Sequence, residues 1–165
     1  MKIILRLFLF AALIALGVWL WFVFFPGPEK IIRSQLTKLA RTVSFSTTKG
    51  NLAKLAGAQN VAGFFSTNVE INLNLPGYAP QNFSGREEIT QAAVGACSVL
   101  SSLSVKFPDI NVTVAPDKNS AIADATVEAN LSGQTDLVVE ELKFTFEKSD
   151  GKWLIKKIET VRVLS

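Results

Sequence analysis

The amino-acid sequence predicts an α+β domain carried behind one membrane-spanning helix. Three features say so. Leu7 to Phe25 are nineteen residues without a charge or a strongly polar side chain. Beyond Pro28, three segments repeat apolar residues at i, i+3 and i+4, the period of a helix with one buried face. Five further segments read as strands, most of them alternating, and the last four follow one another with no helix between. Helices set apart from a meander of antiparallel strands define the α+β class.

The apolar run comes first. At about 1.5 Å per residue, a helix from Leu7 to Phe25 spans roughly 28 Å, close to the ~30 Å hydrocarbon core of a bilayer. Lys2 and Arg6 flank its N-terminal side. Trp19 and Trp21 lie toward the far end, where indole rings favour the headgroup region. Pro26-Gly27-Pro28 then ends the helix. A cleaved signal peptide has a shorter apolar core, about 7–15 residues, and a small-x-small cleavage site. Here the run finishes in the bulky "VWLWFVFF", and Ala15-Leu16-Gly17, its only small-x-small triplet, sits in the middle. Retention as an anchor is therefore expected, with residues 1–28 forming tail, anchor and break, and 29–165 the folded domain. The bilayer becomes the first expected partner, through residues 7–25. Lys2, Arg6 and the terminal amine favour a cytoplasmic N-terminus and a domain outside the cytoplasm, against a weaker opposing pull from Lys30, Arg33, Lys38 and Arg41.

The first helix of the domain is "PEKIIRSQLTKLARTV", with Ile31, Ile32, Gln35, Leu36, Leu39, Ala40 and Val43 on one face. Pro28 suits its first position, Glu29 its first turn, and Lys38 and Arg41 its end. "NLAKLAGAQNVAGFF" predicts a second, weaker helix with Leu52, Leu55, Ala62 and Phe65 inward, since Gly57 and Gly63 each cost about 1 kcal/mol against Ala. "NVEINLNL" alternates as a half-buried strand, Asn72 and Asn74 facing out. "PGYAPQNFSG" reads as a loop. The third helix opens at Ser84, with Glu87 placed for a capping box, and buries Ile89, Ala93, Ala96, Leu100 and Leu103.

Strands follow to the C-terminus. Val105–Val114 contains Pro108, which predicts a bulge or an edge. "AIADATVEANL" puts four alanines, Val127 and Leu131 on one side, so that a helix can lie close or a pocket can open. "LVVEELKFTFEK" turns Val138, Leu142, Phe144 and Phe146 inward. After the turn at Asp150-Gly151, Trp153 and Ile155 share a face, but Ile158 has the opposite parity, which predicts a bulge near Lys156-Lys157.

Composition excludes several functions. Of seventeen basic residues only Lys2 and Arg6 precede the apolar run, so the domain carries fifteen against fourteen acids, without a basic cluster. Nucleic acid is therefore not an expected partner, because its binding needs grouped Lys and Arg. The chain has no His, which rules out a Ser-His-Asp triad and removes the commonest metal ligand. Cys97 stands alone, so no Cys-rich zinc site forms, and no cofactor is expected.

Three stretches carry a resemblance: "FFSTNVEINL", "FSGREEI" opening the third helix, and the closing "DGKWLIKKIETV". With the element order, they make residues 29–165 resemble the nuclear transport factor 2-like (SnoaL-like) superfamily. That resemblance implies a cone-shaped roll, three helices against a curved, mostly antiparallel sheet, with a pocket inside. It implies a binding module in many cases, an isomerase or dehydratase in some, and frequent dimers. A homodimer or a membrane-protein partner is the expectation that follows. Enzymes on such a fold need a pocket carboxylate or His. The one inward-parity carboxylate is Glu140, and Tyr78 lies in the loop at the expected pocket mouth, so Glu140 as base and Tyr78 as oxyanion donor are the catalytic candidates. A solvated Glu140 and a loop-packed Tyr78 outweigh that pairing. The sequence therefore favours a non-catalytic module binding a partner protein or a small apolar ligand, with a small pocket-carboxylate enzyme as the alternative. Cys97, Trp153 and the Phe residues at 64, 65, 144 and 146 read as core.

Overall fold

The computed structural model describes residues 12, 14–17, 27–46, 50–75, 79–132 and 137–161. The anchor residues Leu7, Trp19, Trp21 and Phe25 lie outside the described residues. Within that run, 14–17 are helical, and Ile14 and Leu16 are exposed. Among the described residues no helix is long and apolar enough to cross a membrane.

Helix α1, Pro28–Val43, has Pro at its start, Glu29 in the first turn and Arg41 in the last. Its stripe Ile32, Leu36, Leu39 and Ala40 is buried, while Ile31 stays exposed. Gln35 donates from Nε2 to the Trp153 carbonyl at 2.5 Å, and Arg33 donates to the Ile110 carbonyl. Polar side chains beside the stripe thus tie the helix to the sheet at both flanks.

Helix α2, Asn51–Val61, departs in part from the expected face, and the side chain of Leu52 lies outside the described residues. Ala58 and Val61 are inside and Leu55 is exposed; Ala62 falls in a 3-10 turn, Ala62–Phe64, and Phe65 begins a strand. Gly57 is the physical reason. A Cβ built there would stand 3.3 Å from the Thr42 carbonyl oxygen, so the glycine lets α2 approach the last turn of α1. The contact face is set by this small residue, and Leu55 lies off it.

Six strands follow: β1 Phe65–Leu73, β2 Gln81–Ser84, β3 Leu103–Val114, β4 Ser120–Leu131, β5 Val138–Ser149 and β6 Lys152–Thr160, with α3, Gly85–Val99, between β2 and β3. Their order in the sheet is β2-β1-β6-β5-β4-β3. The β1–β6 pair is parallel and the others are antiparallel. β2 falls in the segment that reads as loop. It is an edge strand of four residues, and among them Phe83 alone is large and apolar, too short a stretch to show alternation.

Both expected bulges are present. The β3–β4 register shifts between Lys106 and Asp109, around Pro108, which has no N–H to give the ladder. The β5–β6 register shifts where Thr145 opposes Lys157 and Phe146 opposes Ile155, leaving Lys156 as the extra residue. Ile155 and Ile158 can then both turn inward, and both are buried. The β5–β6 turn places Asp150 at φ 50° and Gly151 at φ 76°, two left-handed residues in the pattern of a two-residue hairpin loop.

Helix α3 departs from expectation in depth. Only Ile89 is buried; Ala93 and Ala96 are half-buried, as are Leu100 and Leu103, which lie beyond its end. Its cap also differs. The Ser84 N–H donates to the Glu88 carboxylate at 2.7 Å, and Ser84 makes no side-chain cap. The main core joins Ile32, Leu36 and Leu39 of α1 to Ile110, Val112, Ala121, Ala123, Phe144, Phe146, Trp153 and Ile155 of the sheet. The start of α1, the 115–119 turn and the 150–151 turn share one end of the domain, where the Lys148 N–H reaches the Asn119 carbonyl at 2.8 Å. The end of α1 lies at the other, with Phe45 and Leu103 exchanging backbone bonds of 2.8 and 2.9 Å.

Candidate ligand cavity

Toward that second end the inner face of the sheet is not filled. A cavity of about 300 Å³ opens there. Helices α1, α2 and α3 and strands β1 to β6 contribute to its wall: Leu39 and Val43 from α1, Val61 from α2, Ile89, Ala92 and Ala93 from α3, and Phe65, Ile71, Leu73, Phe83, Val105, Phe107, Val127, Leu142, Phe144 and Ile158 from the strands. Every one of these side chains is Ala, Val, Leu, Ile or Phe. Phe107 stands edge-on to Phe144, ring centres 5.7 Å apart and planes at 89°, which fixes two of the wall's rings.

The cavity exists because of what spans it. Helix α3 presents alanines, Ala92 and Ala93, where a long side chain would reach the sheet. That is also why the expected α3 stripe is only half-buried. A wall of this kind can exclude water from an apolar guest. Among the described residues it offers no hydrogen bond from a side chain, so each polar group carried in without a partner would cost roughly 2–7 kcal/mol.

Glu140 lies on the inner face, as its parity predicts. It is half-buried, and it is in register with Val127 of the wall and two residues from Leu142. It is outside the lining itself, next to two residues that belong to it. Tyr78 lies outside the described residues. Asn72 and Asn74 are exposed, as expected, the Asn74 N–H donating to Thr160 Oγ1 at 2.9 Å. Cys97 is half-buried with its sulfur 3.8 Å from the Lys54 carbonyl oxygen. Phe65, Phe144, Phe146 and Trp153 are core, as expected, and Phe64 packs half-buried against them. Among the described residues no group of metal-binding side chains gathers. The Lys157 ammonium, exposed on the outer face, is raised above its ordinary pKa by a hydrogen bond and the charge of Glu159, whose carboxylate is 2.6 Å away.

Two other depressions differ in character. One of about 730 Å³ runs between α1 and the β5–β6 turn and is lined by Lys30, Lys38, Lys152 and Trp153 among others. One of about 510 Å³ lies where α1, α2 and α3 meet, beside Lys54 and Cys97. Both are larger than the apolar cavity, but they lie along helix seams and carry lysines. The smaller one sits between the helices and the inner face of the sheet, where shape and chemistry match a ligand site.

Sequence reasoning left the pocket residues unassigned. Phe83 falls in a segment that reads as loop, and Phe107 and Val127 occupy ordinary strand positions. The signal that could have found them is the run of small residues on α3, Ala92, Ala93 and Ala96, facing strands with larger side chains.

Comparison with known proteins reveals the same fold. The chain is similar to a protein provisionally assigned as an aromatic ring hydroxylase from Novosphingobium aromaticivorans, with 15% identity over 83% of this chain and 90% of that one, TM-score 0.65. It is similar to a nuclear transport factor 2-like protein of unknown function from Pseudomonas putida, with 11% identity over 83% and 87%, TM-score 0.62. The yeast Ubp3-associated protein Bre5 aligns with 17% identity over 84% of this chain and all of that one (100%), TM-score 0.60. No family model and no curated protein matches the sequence. Likeness at this identity shows the fold, a nuclear transport factor 2-like α+β roll with a six-stranded sheet.

Proposed function

We propose that this chain is a membrane-anchored, non-catalytic binding module that holds a small apolar ligand in its cone. The observation that carries the reading is the cavity of about 300 Å³ whose described wall is made of aliphatic and phenyl side chains. An engineered apolar cavity of about half that size stays dry and takes up benzene, so a guest of two fused rings, or a short alkyl chain, suits this one. Had Phe and Leu filled the cone, docking of a partner protein would have been the better reading. The anchor is residues 7–25, which places the domain at a bilayer surface, N-terminus in the cytoplasm and domain outside it. The bilayer is then one partner, and a second copy or a neighbouring membrane protein is another.

The test uses the full chain in lipid nanodiscs. Naphthalene should bind saturably at one site per chain, above the uptake of empty discs. Ala92→Phe, which fills the cavity, should abolish it. Uptake no greater than that of empty discs would refute the ligand reading. Alkaline carbonate should leave the chain in the membrane pellet; release into the supernatant would refute the anchor.

A second reading, a small enzyme with Glu140 as general base, draws on the inner-face position of that carboxylate and on neighbours such as the provisionally assigned hydroxylase. It needs a group to hold the developing oxyanion, and among the described residues no side chain of the cavity wall can donate a hydrogen bond.

A further inference from the structure

We infer that Glu140 makes the cavity selective for ligands with an apolar body and a cationic head, such as an aryl- or alkylammonium. The inference rests on the ligand reading above and adds the chemistry of the ligand's polar end.

Four observations support it. First, Glu140 and Val127 are directly opposed across the β4–β5 ladder, and Val127 is part of the cavity wall. Opposed residues hold their Cβ atoms roughly 5 Å apart on the same face. Second, Leu142 and Phe144, on the same strand and face, also belong to the wall, so the line Phe144, Leu142, Glu140 runs from cavity to rim. Third, Glu140 is half-buried yet has no ion pair or hydrogen bond among the described residues, whereas Glu147 and Glu159 each pair with a lysine. Fourth, the neighbouring acids Glu128 and Glu141 fall on the opposite parity of their strands, facing away from the cone. Glu140 is therefore the charged group that the described strands bring to the cavity's edge on its own face.

The physical consequence is a divided site. The wall rejects polar groups, so a guest seats its hydrocarbon inside and its polar group at the rim. There a carboxylate without a described partner favours a cation, disfavours an anion, and is indifferent to a hydroxyl beyond an ordinary hydrogen bond. A charge-assisted hydrogen bond at a partly desolvated site corresponds to a preference of about tenfold at the lower end of its range.

The experiment compares three probes on the full chain in neutral-lipid nanodiscs, with empty discs as the baseline: naphthalenemethylammonium, naphthalenemethanol and naphthoate. The ammonium should bind about tenfold more tightly than the alcohol, and naphthoate more weakly than either. Raising the salt concentration should shrink the gap. Glu140→Gln should equalise the ammonium and the alcohol, and its saturable naphthalene uptake should show that the variant is folded. Glu140→Lys should reverse the order in favour of naphthoate. Alcohol and ammonium bound equally by the wild type would overturn this inference and leave the ligand reading standing. A preference that survives Glu140→Gln would overturn it too, because another group would hold the cation. If none of the three probes nor naphthalene binds, the cavity reading falls, and this inference with it.

Discussion

The inner face of one sheet is solid at one end and hollow at the other, and the two halves use the same kinds of residue. Beneath the first turns of α1, strand β4 carries Ala121, Ala123 and Ala125, each opposed by a large neighbour on either side: Val114 and Phe146, Val112 and Phe144, Ile110 and Leu142. Small residues stand between large ones, α1 adds Ile32 and Leu36, and little of the surface there is accessible. Toward the other end the pattern inverts. The sheet presents Val127, Leu142, Phe107 and Ile158, and the small residues sit above it, on α3. Alanine interleaved with bulky side chains within a layer lets the layers close. Alanine on the layer that should reach across leaves a gap. The position of a small residue, not its number, decides between core and cavity.

Substitutions that remove or add volume should separate the halves. Phe146→Ala, in the solid half where Phe146 is fully buried (0% exposed), should lower stability by about 3–5 kcal/mol, read from the urea midpoint. A loss below about 1 kcal/mol would mean that this half is not close-packed. Ala123→Leu adds volume in the same half, at a position that is also 0% exposed, and should cost about 1–3 kcal/mol by overpacking. Ala92→Leu adds the same volume over the hollow half. Stability should hold or rise by about 0.5–1 kcal/mol, while naphthalene uptake falls. Opposite signs for the two Ala→Leu changes are the sharpest form of the comparison. The same sign in both would erase it.

Much of the fold was legible along the chain. The strand alternation of β1, β4 and β5 carried its faces without error, because a period of two leaves one choice of side. Pro108 and the parity break between Ile155 and Ile158 each located a bulge, since a missing N–H and a reversed face have few other resolutions. The inward parity of Glu140 was readable for the same reason. Other features were not. β2 is too short to show a period. The buried face of α2 is chosen by Gly57 against α1, a contact between segments that local propensity does not contain. The parallel β1–β6 pair joins residues more than eighty positions apart, and no local pattern announces it.

By itself the sequence determined an apolar run of membrane-spanning length, the class of the fold, the order of the elements apart from β2, and the inward side of β1, β4 and β5. These follow from composition and period, which are properties of neighbouring residues. Only the tertiary structure decided that the inner face closes at one end and stays open at the other, and that Glu140 stands beside the opening. A cavity is the volume left when distant segments have packed as closely as their shapes allow, so it is a property of the assembled layers and of no single segment.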